Sequence, residues 1–158
     1  MTNTMLKCNL QSLFKVVTTL IILFDTIEVK SQGYIGMTIA EIQKEISLDN
    51  SEGYKTSIEK IEKNRTDEYG ASCIIKAPDS YFLCFFSKHP DFNKRKCVLS
   101  TLIPSSGEEA TKIFQAFNMA YLKTGELEWI CERNGVTIDI YVKMLNGIYL
   151  FVYKMRNE

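Results

Sequence analysis

The side chains with most chemical reach in this 158-residue chain are five cysteines and one histidine. Cys73, Cys84 and Cys97 fall one each in three short apolar segments, Ser72 to Ala77, Tyr81 to Ser87 and Lys96 to Ile103. A turn at Pro78-Asp79-Ser80 that pairs Lys76 with Tyr81 sets Cys73 opposite Cys84. A second connection that pairs Phe86 with Arg95 sets Cys84 opposite Cys97. The outcome is a row of thiols across one sheet face, open to metal binding, to a disulfide or to plain packing. Thiolate metal sites usually announce themselves by closely spaced ligands, whereas the cysteines from Cys73 to Cys131 are separated by 11, 13 and 34 residues. All four fall on positions predicted to point inward among Phe and Leu, where free cysteine behaves as a small hydrophobe. Core packing is the favoured reading. A single cross-strand bridge, Cys84 to Cys97 or Cys73 to Cys84, is the alternative, since Cys84 can bond only one neighbour. No catalytic, cofactor-binding or metal-ligating residue is assigned.

His89 is the one candidate for histidine acid–base work. It lies in Ser87-Lys88-His89-Pro90-Asp91-Phe92-Asn93-Lys94-Arg95, which reads as an exposed hairpin loop. Lys88, Lys94, Arg95 and Lys96 make that loop locally positive, and Phe92 could insert into a partner; such charge runs are most often solvated tips. Glu126, Glu128 and Glu132 alternate outward on a strand and face solvent. No phosphate-binding glycine loop or nucleophile motif accompanies them.

The elements that position these residues can be read from periodicity and capping. Thr38 followed by Glu41 is a capping box, with Met37 and Ile42 as its hydrophobic staple. Ile39, Ile42 and Ile46 then give the single apolar stripe of a helix from Ile39 to about Ser47. Tyr54 to Asn64 fits a short helix through Tyr54, Ile58 and Ile61, though an exposed edge strand would carry the same isoleucines. In the three cysteine-bearing strands Cys73, Ile75, Phe82, Cys84, Phe86, Cys97 and Leu99 form the inward face. Ser106 and Glu109 form a second capping box, opening a helix with Ala110, Ile113, Phe114, Phe117 and Tyr121 inward and Gly125 as its stop. Asn134-Gly135 and Asn146-Gly147 are two-residue hairpin turns. They place Cys131 opposite Ile138, Trp129 opposite Ile140, Val142 opposite Phe151 and Ile140 opposite Tyr153. Leu127, Trp129 and Cys131 should point inward with Val136, Ile138, Ile140, Val142 and Met144. The predicted fold is α+β: an antiparallel sheet of two three-stranded meanders joined by a helix, with helices packed on one face.

The N-terminus follows a different logic. Lys7 and Lys15 precede the apolar run Val16 to Phe24, and a more polar stretch to Ser31 follows. That is the layout of a secretory signal peptide. The apolar run is shorter than the ~20 residues a spanning helix needs. Cleavage is expected before Gln32 or Gly33, so residues 1–31 are a signal peptide and 32–158 a single α+β domain. Its removal takes three basic and two acidic residues and leaves 16 basic against 17 acidic. The full chain carries 19 of each. That balance gives no basic excess of the kind a nucleic-acid face needs, so no nucleic-acid partner is expected. No transmembrane span remains after cleavage.

The opening Gly36-Met37-Thr38-Ile39-Ala40-Glu41-Ile42, then Tyr81-Phe82-Leu83-Cys84-Phe85-Phe86, Cys97, the capped helix and the Trp129-containing final strands together resemble small exported bacterial α+β proteins of uncharacterised function. The resemblance covers nearly the whole mature chain. Its Gly-Met-Thr helix start is similar to that of SmpA/OmlA-like and β-lactamase-inhibitor-like modules. The resemblance implies a binding or envelope role and carries over no functional residues.

The resulting expectation is an exported, non-enzymatic interaction module, periplasmic or extracellular, with an envelope or extracellular protein as partner. The competing expectation is a small ligand-binding protein or enzyme with a cleft near Trp129 and Tyr121.

Overall fold

The structure, a computed structural model, describes residues 33–156. The expectations placed on residues 1–32 lie outside them. The chain forms β1 (Ser57–Glu62), β2 (Ala71–Ala77), β3 (Ser80–Phe86), β4 (Cys97–Pro104), β5 (Leu122–Gly125), β6 (Glu128–Arg133), β7 (Val136–Leu145) and β8 (Ile148–Met155). Helix α1 (Ile39–Ser51) precedes β1 and helix α2 (Gly107–Ala120) links β4 to β5. All eight strands join one antiparallel sheet in the order β1-β2-β3-β4-β8-β7-β6-β5. The α+β class holds. The expected runs β2-β3-β4 and β6-β7-β8 pair in sequence order, but β1 and β5 each add an edge strand and β8 pairs with β4, so the sheet is one continuous eight-stranded layer rather than two three-stranded meanders.

Local chemistry explains where α1 begins. The Thr38 hydroxyl accepts from the Glu41 N–H (3.3 Å), and the Glu41 carboxylate accepts from the Thr38 N–H (2.7 Å). Two orphan donors of the first turn are thus satisfied. Ile39, Ile42 and Ile46 are buried. The helix runs to Ser51, past the expected end near Ser47. There the Asn50 amide takes over: its Oδ1 accepts from the Thr56 N–H and its Nδ2 donates to the Thr56 carbonyl, both at 2.8 Å. A side chain in this way imitates a strand partner and hands the chain to β1.

The helical reading of Tyr54 to Asn64 is overturned, since Ser57–Glu62 is a strand. Its two isoleucines stand three apart, a spacing that would put them on opposite faces of a regular strand. A bulge between Ile58 and Lys60 absorbs the extra residue. Ile58 then pairs with Ile75 and Ile61 with Cys73, and both pack on the core. The bulge copies the helical period, so periodicity alone misreads it.

The β2–β3 register is as expected, with Lys76 on Tyr81 and Cys73 on Cys84. The β3–β4 register is not. Phe86 pairs with Cys97 rather than Arg95, and a bulge at Phe85/Phe86 leaves Val98 as the extra residue. Cys84 consequently faces Ser100, not Cys97. Beyond the bulge the alternation of β4 inverts: Ser100 and Leu102 are buried, while Leu99, expected inward, is only half-buried on the other face.

Helix α2 starts where the Ser106 hydroxyl accepts from the Glu109 N–H at 3.2 Å. The return bond of a full capping box is absent, for the Glu109 carboxylate pairs instead with Lys112 at 2.7 Å. Gly125 is not the stop. The chain turns extended at Tyr121 (φ −120°, ψ 153°), and Leu122–Gly125 pairs with β6 as an edge strand. Sheet pairing here overrides the local end signal.

Both hairpin turns take the left-handed geometry that Asn-Gly supplies, with φ of 50° and 75° at Asn134 and Gly135 and of 51° and 78° at Asn146 and Gly147. All four expected cross-strand pairs form. Leu127 and Met144, expected inward, are 41% and 64% exposed. Met144 and Leu145 pair only with Tyr149 and Ile148 at the tip of the β7–β8 hairpin, which reaches past the ends of β4 and β6.

The core lies between the helices and one sheet face. Trp129, Tyr153, Phe86, Phe117 and Phe151 are its largest fully buried side chains. Burying each such side chain contributes about 1.5–3 kcal/mol. The buried residues of α1 and α2 join the inward sheet residues in one continuous cluster.

Candidate functional site

The thiol row is part of that cluster. Cys73, Cys84, Cys97 and Cys131 are all buried, and none of them forms a disulfide. The Cys84 Sγ lies 3.5 Å from the Ser100 hydroxyl, and the Cys97 thiol donates to the Leu99 carbonyl at 3.5 Å. A hydrogen bond with Cys84, and then burial, raises the Cys73 thiol far above its ordinary range. Burial does the same to Cys84. Because the thiolate is the nucleophile and the metal ligand, these thiols are held in their unreactive form. Among the described residues no three His, Cys, Asp or Glu side chains converge as a metal site.

Trp129 and Tyr121, the residues of the competing cleft, sit in an aromatic layer. The Phe117 ring stands 5.4 Å from Trp129 and 5.3 Å from Tyr121, and Phe114 lies 6.1 Å from Trp129. The indole N–H donates to the Asn118 Oδ1 at 3.1 Å. Protein atoms therefore occupy the space around the tryptophan. Glu126, Glu128 and Glu132 are exposed, at a turn and on the solvent side of β6.

The His89 loop does form a concave surface. The β1–β2 connection and the β3–β4 loop meet around a cleft of about 330 Å³ lined by Asn64, Arg65, Gly70, Lys88, His89, Pro90 and Arg95. Arg95 ties its walls together: Nε donates to the His89 carbonyl (2.8 Å), and Nη1 donates to the carbonyls of Lys63 and Gly70 (2.6 Å to the latter). The guanidinium also lies 5.6 Å from the Phe92 ring, with the Lys63 ammonium 5.2 Å from the same ring. Phe92, which the sequence left free for a partner, instead packs against the core under two cations. Arg65 differs from Arg95. It pairs with Glu62 and Asp67 and stacks 5.3 Å over Phe85. Gly70 closes the cleft floor, where a Cβ would stand 2.8 Å from the Ser87 carbonyl oxygen and 3.0 Å from the Lys88 Cα. Sequence reasoning missed Arg65, Asn64 and Gly70 because they are drawn to His89 only by strand pairing. The positive loop was the sole available signal.

A second surface is the sheet face turned away from the helices. Directly paired residues share a face, so Ile74, Leu83, Thr101, Val152 and Tyr141 form one row across five strands. Phe85 and Leu99 sit beside it in the next row. These side chains are half-buried, and Val152 is buried outright. At the hairpin tip Met144, Leu145 and Ile148 are 64%, 59% and 50% exposed. Among the described residues no helix is long and apolar enough to cross a membrane. Comparison with protein-family models, with known proteins and with solved structures finds no match to this chain.

Proposed function

We propose that this protein is an exported, non-enzymatic interaction module that works in the cell envelope or extracellular space once residues 1–31 are removed. It engages a protein partner through the sheet face opposite the helices. The observation that carries the reading is the run of apolar side chains on that face, Ile74, Leu83, Phe85, Leu99 and Val152, with both helices packed on the other side. Apolar side chains grouped on one sheet face, with Lys60, Lys76 and Lys154 on the same face, have the mixed character of a contact surface. The resemblance to small exported α+β proteins points the same way.

The test has two parts. Mass spectrometry of the exported protein should find an N-terminus at Gln32 or Gly33, and an exported form that retains Met1 overturns the export reading. A photo-crosslinker at Leu83 should then give a discrete adduct in envelope extract, competed by unlabelled protein and lost with Leu99→Glu. The same crosslinker at Lys112, on the helix side, should give none. Equal adducts from both positions, or none from Leu83, defeat the proposed surface.

A further inference from the structure

The basic cleft carries an inference independent of the sheet face. Its lining holds three cations, Arg65, Lys88 and Arg95, and no carboxylate. Arg65 already has Glu62 and Asp67 as counter-charges. Lys88 and Arg95 have no acidic partner among the described residues. The Arg95 bonds go to carbonyl oxygens, which orient a guanidinium but leave its charge uncompensated. They also occupy only Nε and Nη1, so the two N–H groups of Nη2 have no protein acceptor among the described residues. Two unmatched positive charges thus share one concave site.

The histidine adds a donor. The Asp91 N–H donates to His89 Nδ1 at 3.0 Å, so the neutral imidazole keeps its proton on Nε2. The Asp91 carbonyl lies 3.1 Å from the same nitrogen. With Nδ1 accepting, the ring N–H is at Nε2. Asn64 contributes an amide of flexible orientation. Both loops are held in place by the Arg95 bonds and by the fit of Gly70 under Ser87. The volume of about 330 Å³ is at the small end of the ~300–1,000 Å³ typical of ligand pockets. It suits one charged group with a short attachment.

The geometry points to this cleft as a binding site for a phosphate dianion, free or as the terminal group of a phosphomonoester. A phosphomonoester carries about −1.5 to −2 at pH 7, which matches the two unmatched cations, and three acceptor oxygens to meet the Arg95, Lys88 and Nε2–H donors.

The test is a titration of the ¹⁵N-labelled chain with inorganic phosphate and, in parallel, with glycerol phosphate at pH 7, with equal ionic strength of NaCl as the blank. Saturable shifts should appear at Gly70, Lys88, His89 and the Arg95 Nε–H, and not at Ser105 or Gly147 at the other end of the sheet. Tighter binding of glycerol phosphate assigns the ester as the ligand, and equal binding assigns the free anion. Lys88→Gln, at an exposed side chain outside the loop contacts, should weaken binding roughly two- to fivefold, as expected for loss of one exposed charge pair. Arg95→Lys keeps the charge but loses the fork that ties the loops, so it should lower the urea midpoint and weaken binding more than Lys88→Gln. Lys88→Gln decides the test because it leaves the loop bonds in place. Lys112→Gln should leave binding unchanged. Shifts that NaCl reproduces, shifts that never saturate, or Lys88→Gln indistinguishable from the parent overturn the site.

Discussion

Gly70→Ala tests whether the two loops of the cleft are in contact as described. An added Cβ would stand 2.8 Å from the Ser87 carbonyl oxygen, 3.0 Å from the Lys88 Cα and 3.3 Å from the Ser87 carbonyl carbon. Ordinary contact begins at 3.4 Å, so the backbones must separate by 0.6 Å. Neither side yields easily. The Gly70 N–H donates to the Phe86 carbonyl (2.9 Å), its carbonyl accepts from Arg95 (2.6 Å), and the Ser87 N–H donates to the Lys96 carbonyl (2.8 Å). Overpacking of this kind costs about 1–3 kcal/mol. Stiffening the unfolded chain returns about 0.4–1 kcal/mol. The net expectation is a loss of about 1–2 kcal/mol, the difference between those two effects. With a urea m-value of about 2 kcal/mol per molar, the unfolding midpoint should fall by roughly 0.5–1 M. Gly107→Ala is the matched control. Its Cβ meets nothing within 4 Å at the first residue of α2, so only the unfolded-chain effect operates and the midpoint should hold or rise. Urea unfolding followed by circular dichroism reads both. If Gly70→Ala unfolds at the same urea concentration as Gly107→Ala, the close approach of the loops is refuted.

Thr38→Ala should cost about 1 kcal/mol at neutral pH by removing a helix cap. The Thr38 N–H and then its hydroxyl hold the Glu41 carboxyl below the usual carboxylate range. Its folded pKa being depressed, the stabilisation from Glu41 is present above the ordinary carboxylate pKa and lost as pH falls through that range. Glu41→Gln should therefore flatten part of the acid limb of a stability–pH curve, and an unchanged limb would contradict the capping box. Asn118→Ala leaves the buried Trp129 N–H without its acceptor and should cost about 1–3 kcal/mol, seen as an earlier melt followed by tryptophan fluorescence. Thiol labelling of residues 32–158 should be slow in the native protein and reach four equivalents on unfolding. A plateau at two equivalents in the unfolded protein would show that one bridge had formed.

Much of the frame was legible because its signals are short-range. Thr38 and Glu41 are three residues apart, and Asn134-Gly135 and Asn146-Gly147 are adjacent pairs whose dihedral tolerance sets a hairpin register directly. The inward face of β2 and β3 followed from alternation, and so did the burial of all four described cysteines. The failures share one origin. Ile58 and Ile61 read as helical because a bulge makes a strand repeat every three residues. Cys97 was placed opposite Cys84 because nothing local marks that the loop ends two residues later, at Cys97 facing Phe86, or that a bulge at Val98 shifts the register by one more. Gly125 read as a helix end because local stop chemistry does not register that Leu122–Gly125 will be claimed by β6. Leu127 and Met144 followed the inward alternation of their neighbours but sit where the sheet has run out of cover.

The cleft belongs wholly to the second kind. Residues 64 to 70 and 88 to 95 each carry ordinary loop chemistry, and only the pairing of β2 with β3 brings Gly70 beneath Ser87 and Lys88. The sequence by itself determined where helices are capped, where hairpins turn and which side chains seek the core, since these depend on a residue and its near neighbours. The tertiary structure decided which strands become edges, where the bulges fall and which cations keep a counter-charge. Those outcomes depend on hydrogen bonds and charges between residues tens of positions apart, and no local pattern encodes them.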